Sequence, residues 1–216
     1  MTRKWFGLPI VAGMAVFSVL VLPALPAEIP IHWNLAGEPD STMSKALGAF
    51  LMVFVGVGVW LLFLGLPHID PRRRRYAEFQ RSYWLLCNLV LIFLAAAHVR
   101  VLGLGLGWDV DPMQAMLVGM GLLFAGISPI LPRLSPNWWT GIRTPWTLSN
   151  DTVWRRTHRL GGYAFALAGL LMVATGFLPH PARLWVSAVV FLAMVMVPVA
   201  YSYVVWRDLG EDRLGG

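Results

Sequence analysis

The stretch ALGAFLMVFVGVGVWLLFLGL, residues 46–66, contains no charged side chain. About 20 consecutive apolar residues are needed for an α-helix to cross the roughly 30 Å hydrocarbon core of a bilayer. A surface helix of a soluble domain of this length would carry a polar face, and this stretch has none. The stretch is therefore predicted to be a transmembrane helix.

Apolar runs of similar length recur on both sides of this stretch. Hydrophobic residues make up 57% of the 216 residues and charged residues 13%, about half the charge of a typical soluble domain. A soluble helical bundle would mix its polar residues into the helices, whereas here they collect between the apolar runs. The chain is predicted to be an all-α polytopic membrane protein with six transmembrane helices. The other five predicted spans are 5–25, 83–104, 113–131, 160–178 and 184–206.

Basic residues are distributed unevenly among the predicted loops. Fourteen of the 17 Lys and Arg residues lie at the two termini and in the second and fourth loops, and only Lys45, Arg100 and Arg183 lie on the other side. Cytoplasmic loops carry an excess of Lys and Arg. Both termini are therefore predicted to be cytoplasmic (N-in/C-in), in a multi-pass protein of the cell membrane.

Several functional classes are disfavoured by composition and motifs. The net charge of +6 comes from basic residues beside apolar runs, which favours contact with anionic lipid headgroups of the bilayer over direct nucleic-acid binding. A single cysteine, Cys87, cannot form a disulfide within the chain. The sequence contains no Walker loop, nucleophile elbow or CxxC motif. No enzyme activity, cofactor or metal is predicted, and the absence of acidic residues within the spans disfavours a transporter.

The first of two unusual loops, residues 26–45, is called the outer loop. Its prolines favour extended or turn geometry, and residues 34–37 suit a tight turn. Three interpretations stay open: a structured plug, a binding site, or a metal site in which His32, His98 and His180 meet a carboxylate. The candidate binding residues are His32, Trp33, Asn34, Gly37, Asp40 and Lys45.

The second unusual loop, residues 137–162, is called the inner loop. Ser149 is predicted to cap a helix that continues into the fifth span. The loop is either an interfacial helix with Arg on headgroups and Trp at the acyl boundary, or a docking or ligand surface whose Arg residues bind phosphate. The candidate binding or signalling residues are Asn137, Gly141, Arg143, Thr144, Pro145, Trp146, Ser149, Trp154, Thr157, His158, Arg159 and Gly162.

Both loops resemble known family motifs. The outer segment IPIHWN, residues 29–34, with Gly37 and Asp40, resembles a bacterial membrane domain of unknown function. The inner segment GIRTPWTLS, residues 141–149, followed by THR and GG at 157–159 and 161–162, resembles the signature of the SdpI family. The resemblance implies an immunity protein that protects a cell from its own secreted peptide toxin. It also implies a signalling role, in which the protein holds a small helix-turn-helix repressor at the membrane.

The sequence is divided into three predicted units: a two-helix unit over 1–66, a basic cytoplasmic loop over 67–81, and a four-helix unit over 82–216. An immunity and signalling protein is the expected function. The alternative is a lipid-handling protein or metal-dependent enzyme that uses either the outer His32/Asp40 pair or the inner Arg143/His158 pair.

Overall fold

The computed structural model describes residues 5–34 and 37–214, with side chains described as far as residue 210. The fold is helical, with one small β-hairpin near the amino terminus. The elements in chain order are α1 (Gly7–Val21), β1 (Glu28–Trp33), β2 (Pro39–Ser44), α2 (Lys45–Ile69), α3 (Tyr76–Gly105), α4 (Pro112–Ile127), α5 (Pro145–Ser149), α6 (Asp151–Thr175) and α7 (Ala182–Leu214).

Each of the six predicted spans contains a helix. Five segments of the described chain are long and apolar enough to cross a membrane, and they contain α1, α2, α3, α4 and α7. Helix α6, at the fifth predicted span, is not among them, because its first turns carry Asp151 and several basic residues. The helical membrane fold is confirmed, while the count of six spans stays a prediction.

The outer loop is a two-stranded antiparallel sheet, which the all-α prediction missed. Strands β1 and β2 pair from Glu28 with Ser44 to Trp33 with Pro39, with irregular register near His32. Each strand contains a proline, and prolines are tolerated here because both strands are edges. The two strands are short and each contains a proline, so the sequence lacks the alternation of hydrophobic and polar residues that predicts a strand.

The helices pack in two groups. Buried residues of α1, α2 and α3 form one core with Trp154 and the segment that follows α4. Residues of α4, α6 and α7 form a second core. The division predicted at residue 82 would instead place α3 with the carboxyl-terminal helices, and this division stays a prediction.

Helix α6 packs antiparallel to α4 from Gly162 to its carboxyl-terminal end. A Cβ built on Gly176 would lie 3.4 Å from the carbonyl oxygen of Gln114, at the start of α4. A Cβ built on Gly162 would lie 3.0 Å from the carbonyl oxygen of Ser128, just beyond the end of α4. Gly169 is midway, where an added Cβ would lie 2.7 Å from the backbone nitrogen of Ala125. Glycine is therefore required for the close approach of these two helices.

Candidate functional site

The outer hairpin is fixed to the bundle by one buried side chain. Ile29 of β1 is fully buried, and it fills space beside Gly48 of α2 and Gly105 of α3. A Cβ on these glycines would lie 2.7 Å and 3.1 Å from Ile29 atoms. The packing of Ile29 beside these two glycines thus holds the hairpin against α2 and α3. The tip of the hairpin takes no part in this packing and carries polar residues.

The turn predicted for residues 34–37 is described at its two ends, since residues 35 and 36 lie outside the described residues. The Gly37 backbone N–H donates to the Asn34 carbonyl at 2.9 Å, and Gly37 has a φ of +84°, in the region that favours glycine. The Asn34 side-chain oxygen accepts from the Glu38 backbone N–H at 3.0 Å. Asn34 and Gly37 therefore shape the turn.

His32 and Asp40 meet across the two strands. The His32 Nδ1 lies 2.6 Å from the Asp40 Oδ1, and the two side chains are 69% and 42% exposed. Lys45 lies apart from this pair and donates to the Leu25 carbonyl at 3.5 Å. The predicted cluster is thus an exposed pair with a separate lysine at the base of the hairpin.

Trp33 faces Arg100 at the outer end of α3. The Arg100 guanidinium lies 4.7 Å from the centre of a Trp33 ring, within the range of a cation–π contact. Both side chains line a groove of about 230 Å³ between the hairpin, α3 and the start of α4. The outer loop therefore includes a concave surface as well as an exposed tip.

The proposed three-histidine metal site does not form. His98, expected at the outer surface, is buried, and its Nε2 lies 3.1 Å from Ser18 Oγ and 3.2 Å from the Met14 carbonyl. Among the described residues, no three His, Cys, Asp or Glu side chains could hold a metal together. The prediction for His98 was wrong because a polar partner on α1 stabilises the ring inside the bundle.

Asn137 organises the start of the inner loop. Its side-chain oxygen accepts from the backbone N–H groups of Trp139 at 2.9 Å and Thr140 at 2.7 Å. Its amide donates to the carbonyls of Ser135 and Thr140, both at 3.0 Å. The side chain is fully buried, and its hydrogen-bonding capacity is used within the turn.

Trp154 and His158 form a buried stack one helical turn apart, as their spacing on a helix predicted. Their ring centres are 4.0 Å apart, and both side chains are at most 1% exposed. The Trp154 indole N–H donates to the Leu134 carbonyl at 2.7 Å. Trp154 therefore joins α6 to the segment after α4.

His158 holds the backbone of the inner loop against α6. Its Nε2 accepts from the Ile142 backbone N–H at 3.0 Å, so the ring is neutral with its proton on Nδ1, which donates to the Trp154 carbonyl at 2.9 Å. Burial lowers the pKa of His158 to about 4. Gly141 has a φ of +104°, and a Cβ there would collide with His158 Nε2. His158 can therefore bond to the loop backbone because residue 141 has no Cβ.

Helix α5 is a single turn with its own cap. The Thr144 hydroxyl oxygen accepts from the Thr147 backbone N–H at 3.1 Å, the Thr147 hydroxyl accepts from the Thr144 backbone N–H at 2.8 Å, and Pro145 takes the first helical position. The Thr144 hydroxyl also lies 3.0 Å from Ser202 Oγ on α7. The predicted cap at Ser149 was wrong: Asn150 caps α6 instead.

The remaining inner-loop candidates divide by exposure. Arg143 is exposed and donates to the Trp138 carbonyl at 2.9 Å, so it does not pair with His158. Arg159 is exposed, and Trp146 packs on Tyr203 of α7 with ring centres 5.1 Å apart. Thr157 is fully buried, and its hydroxyl has no hydrogen-bond partner within the described residues.

Asp70, which the sequence reading did not select, connects three segments on the inner side. Its carboxylate accepts from the Arg72 backbone N–H at 2.7 Å, the Tyr76 hydroxyl at 2.9 Å and the Trp138 backbone N–H at 3.0 Å. Its side chain is almost fully buried. One feature of the sequence could have identified Asp70: it is an isolated acidic residue that follows an apolar run and precedes a proline.

Two of the four consecutive arginines clamp the inner loop. Arg72 donates to the Leu148 carbonyl at 2.8 Å, and Arg75 donates to the Asp151 carboxylate at 2.7 Å. Arg73 and Arg74 are exposed. The run therefore does more than determine topology and contact lipid, because half of it holds α5 and the start of α6.

The motifs of both loops match known family models. Residues 133–202 match the SdpI/YfhL protein family, and residues 10–57 match a domain of unknown function, DUF1648. The carboxyl-terminal part of the chain is thus similar to the SdpI family, and its amino-terminal part is similar to DUF1648. The SdpI match begins just before the inner loop and ends at Ser202, the α7 residue that meets Thr144. The DUF1648 match contains the whole outer hairpin.

Full-length similarity points to the same family. The chain is 26% identical over 196 residues to the immunity protein SdpI of Bacillus subtilis (strain 168), which covers 91% of this chain and 92% of that protein. It is 27% identical over 81 residues to the uncharacterized membrane protein YbgB of the same organism, covering 37% of this chain and 79% of that protein. No solved structure matches the chain. The chain is thus a membrane protein related to an immunity protein along nearly its whole length.

Proposed function

We propose that this protein is an immunity protein of the bacterial inner membrane, which protects the cell against a secreted peptide toxin. The observation that carries the proposal is the similarity to an immunity protein over 91% of the chain. The alignment is long enough to include both unusual loops, and a separate family model matches the segment around each loop. A binding function, without catalysis, is in keeping with the contacts of both loops.

The outer loop is the proposed contact face for the toxin. Its hairpin is rigidly anchored by Ile29, while His32 and Asp40 are exposed at the tip. Trp33 and Arg100 line the adjacent groove. Rigid strands that present aromatic and polar side chains lose little conformational entropy when they bind a partner.

The inner loop is the proposed contact face for a cytoplasmic partner, a small helix-turn-helix repressor. The buried network leaves Trp138 and Trp139 at 47% and 40% exposure, beside the exposed Arg143. Tryptophan and arginine are enriched at protein–protein interfaces. The repressor would therefore contact the exposed residues of the loop, and the buried residues would hold them in place.

Helix α3 is the proposed connection between the two faces. The helix is kinked at Phe79, and the residues from 80 to 105 after the kink span about 39 Å at 1.5 Å per residue, with Arg100 at Trp33 near one end. At the other end Tyr76 bonds to Asp70, and Arg75, just before the helix, pairs with Asp151. A ligand that moves Arg100 would act on an element whose first turn, before the kink at Phe79, is bonded to the inner loop.

The proposed topology has six spans, with both termini in the cytoplasm. Helix α6 supports this count because it follows α4 along its whole length, from Gly162 to Gly176. If α4 crosses the membrane, α6 must cross with it. Its first turns are polar because they pack on the inner loop rather than on lipid.

Complementation tests the immunity proposal. Cells of Bacillus subtilis strain 168 that lack SdpI would express this chain and be challenged with supernatant from the parental strain. We expect survival above that of cells with an empty vector, at a membrane level of the protein verified by immunoblot. Unchanged killing with the protein present in the membrane would contradict protection against that toxin.

A further inference from the structure

The groove beneath the outer hairpin contains a cation without a counter-ion. Arg100 forms no ion pair within the described residues, and its Nη1 is buried without a hydrogen-bond partner. The Trp33 ring packs on the guanidinium, but it does not accept hydrogen bonds from the N–H groups as an oxygen atom would. A buried donor left unpaired is unfavourable, and a carboxylate is the group that best satisfies an arginine.

The acidic side chains of the outer side have other partners. Asp40 pairs with His32 at 2.6 Å, and Asp111 pairs with Arg183 at 2.5 Å. Asp111 also caps α4, and although desolvation raises its pKa, the hydrogen bonds from Arg183 and the helix backbone hold that pKa below its ordinary value. Glu28 and Glu38 accept hydrogen bonds from Thr42 and Asn34, and none of the ion pairs within the described residues joins an acid to Arg100, which is left to meet an external anion.

The rest of the groove is apolar and adaptable. Met52, Met113 and Met116 line it, from α2 and α4, with Ile31 of the hairpin. Methionine side chains adjust to irregular apolar partners. The groove therefore fits an apolar body that carries one negative group.

The size of the groove favours one end of a ligand. Its volume of about 230 Å³ is below the roughly 300–1,000 Å³ typical of pockets that enclose a whole small molecule. A whole peptide would not fit, whereas its last one or two residues would. The chain terminus is also the place where an apolar peptide carries a carboxylate.

We propose that the groove beside Trp33 binds the carboxyl terminus of an apolar peptide, with Arg100 pairing with the terminal carboxylate. The proposal rests on the proposed immunity function, since it assigns ligand chemistry to the same outer face. The terminal side chains pack among the three methionines. His32 and Asp40 flank the entrance and contact the part of the peptide that stays outside.

Binding of two matched peptides tests this assignment. The probes are an N-acetylated octapeptide of leucine, valine and phenylalanine with a free carboxyl terminus, and the same peptide with a terminal amide. Affinities are measured for the full chain in lipid nanodiscs, with empty nanodiscs as the background. We expect the free acid to bind at least about tenfold more tightly, the change that about 1.4 kcal/mol produces.

Variants assign that preference to one side chain. Arg100→Gln should abolish the acid-over-amide preference, and Arg100→Lys should keep part of it, because lysine has the charge without the planar fork. Lys45→Gln, which removes another outer cation, should leave the preference intact. Should Arg100→Gln fail to fold, the acid-over-amide ratio of the unmodified protein and of Arg100→Lys still decides.

Three results would overturn the proposal: equal affinities for acid and amide, a preference that persists in Arg100→Gln, or Arg100-dependent binding of oleate without binding of the acid peptide. The last result would assign the groove to a free fatty acid. The complementation experiment separates this inference from the function. Protection without a carboxylate preference would leave the immunity proposal standing, and absence of protection would not alter the affinity ratio.

Discussion

The outer and inner loops are both rich in hydrogen-bonding side chains, and they use these side chains in opposite ways. In the outer loop the His32 and Asp40 side chains are 69% and 42% exposed, and they bond to each other across the hairpin. In the inner loop Asn137 and His158 are at most 1% exposed, and both bond to backbone groups. A polar, aromatic loop can thus either expose its polar side chains or bury them in a folded polar core.

The difference changes how loop residues should be chosen as functional candidates. Polar groups that are buried and fully bonded specify a unique structure, and their removal leaves other groups unpaired. Substitution of Asn137 or His158 would therefore damage the fold before it revealed anything about a partner. The exposed residues of each loop are the ones that can report on binding.

The largest effect is expected at the buried tryptophan of the inner loop. Trp154→Ala should lower the free energy of unfolding by about 3–5 kcal/mol, because it removes a fully buried ring and the hydrogen bond to Leu134. The same change at Trp139, which is 40% exposed, is the matched control. Unfolding in detergent measures both. Equal losses at the two positions would show that the inner loop is not a packed core.

A glycine in each loop provides the second comparison. Gly141→Ala and Gly37→Ala both place a side chain at positive φ, which costs about 1–2 kcal/mol. At Gly141 the Cβ also collides with His158 and leaves the Ile142 N–H unpaired, adding about 1–3 kcal/mol. At Gly37 nothing lies within 4 Å. Unfolding midpoints should therefore fall further for Gly141→Ala, and the reverse order would contradict the His158 contact.

The stability of the inner loop should depend on pH through His158. Burial lowers the pKa of His158 from its ordinary value of 6.5 to about 4. Between these pH values the unfolded chain binds a proton that the folded protein does not bind. The contribution of His158 to stability is therefore complete above pH 6.5 and is lost as the pH falls toward 4. His158→Gln should remove this part of the pH dependence. The exposed outer histidine supplies the control, since His32→Gln should retain it. Unfolding midpoints at pH 7.5, 6 and 5 measure the difference, and an unchanged slope in His158→Gln would refute this assignment.

The smallest effect on stability is expected at the outer pair. Asp40→Asn should change the free energy of unfolding by less than about 1 kcal/mol, because both partners are exposed to solvent. In the complementation experiment, however, the variant should protect less well than the unmodified chain. Full protection by Asp40→Asn would remove the pair from the proposed contact face.

Apolar patterning was sufficient to predict the helical membrane fold. The run at 46–66 lies within α2, and the other predicted spans also contain helices, because hydrocarbon thickness limits the length of a span. The hairpin was not predictable in this way, since its pairing depends on long-range contacts such as Ile29 with Gly48 and Gly105. Composition alone also does not identify α6 as a span, because its polar first turns pack on protein.

The candidate residues were predictable as a set, but their exposure was not. Proximity along the chain indicated the His158 and Trp154 pair, which are one helical turn apart. The role of Asp70 depends on partners as far away as Trp138, and the burial of His98 depends on Ser18 of α1. Such contacts between distant segments leave no periodic pattern in a single sequence.

The central claim is that ligand contact belongs to the outer hairpin while the inner loop faces away from the toxin. Survival of toxin-challenged cells that express Trp33→Ala or Trp139→Ala tests it most directly, because the same substitution is made at an accessible tryptophan on each side. At equal membrane levels, we predict that Trp33→Ala loses protection and Trp139→Ala keeps it. Protection retained by Trp33→Ala and lost by Trp139→Ala would contradict the account.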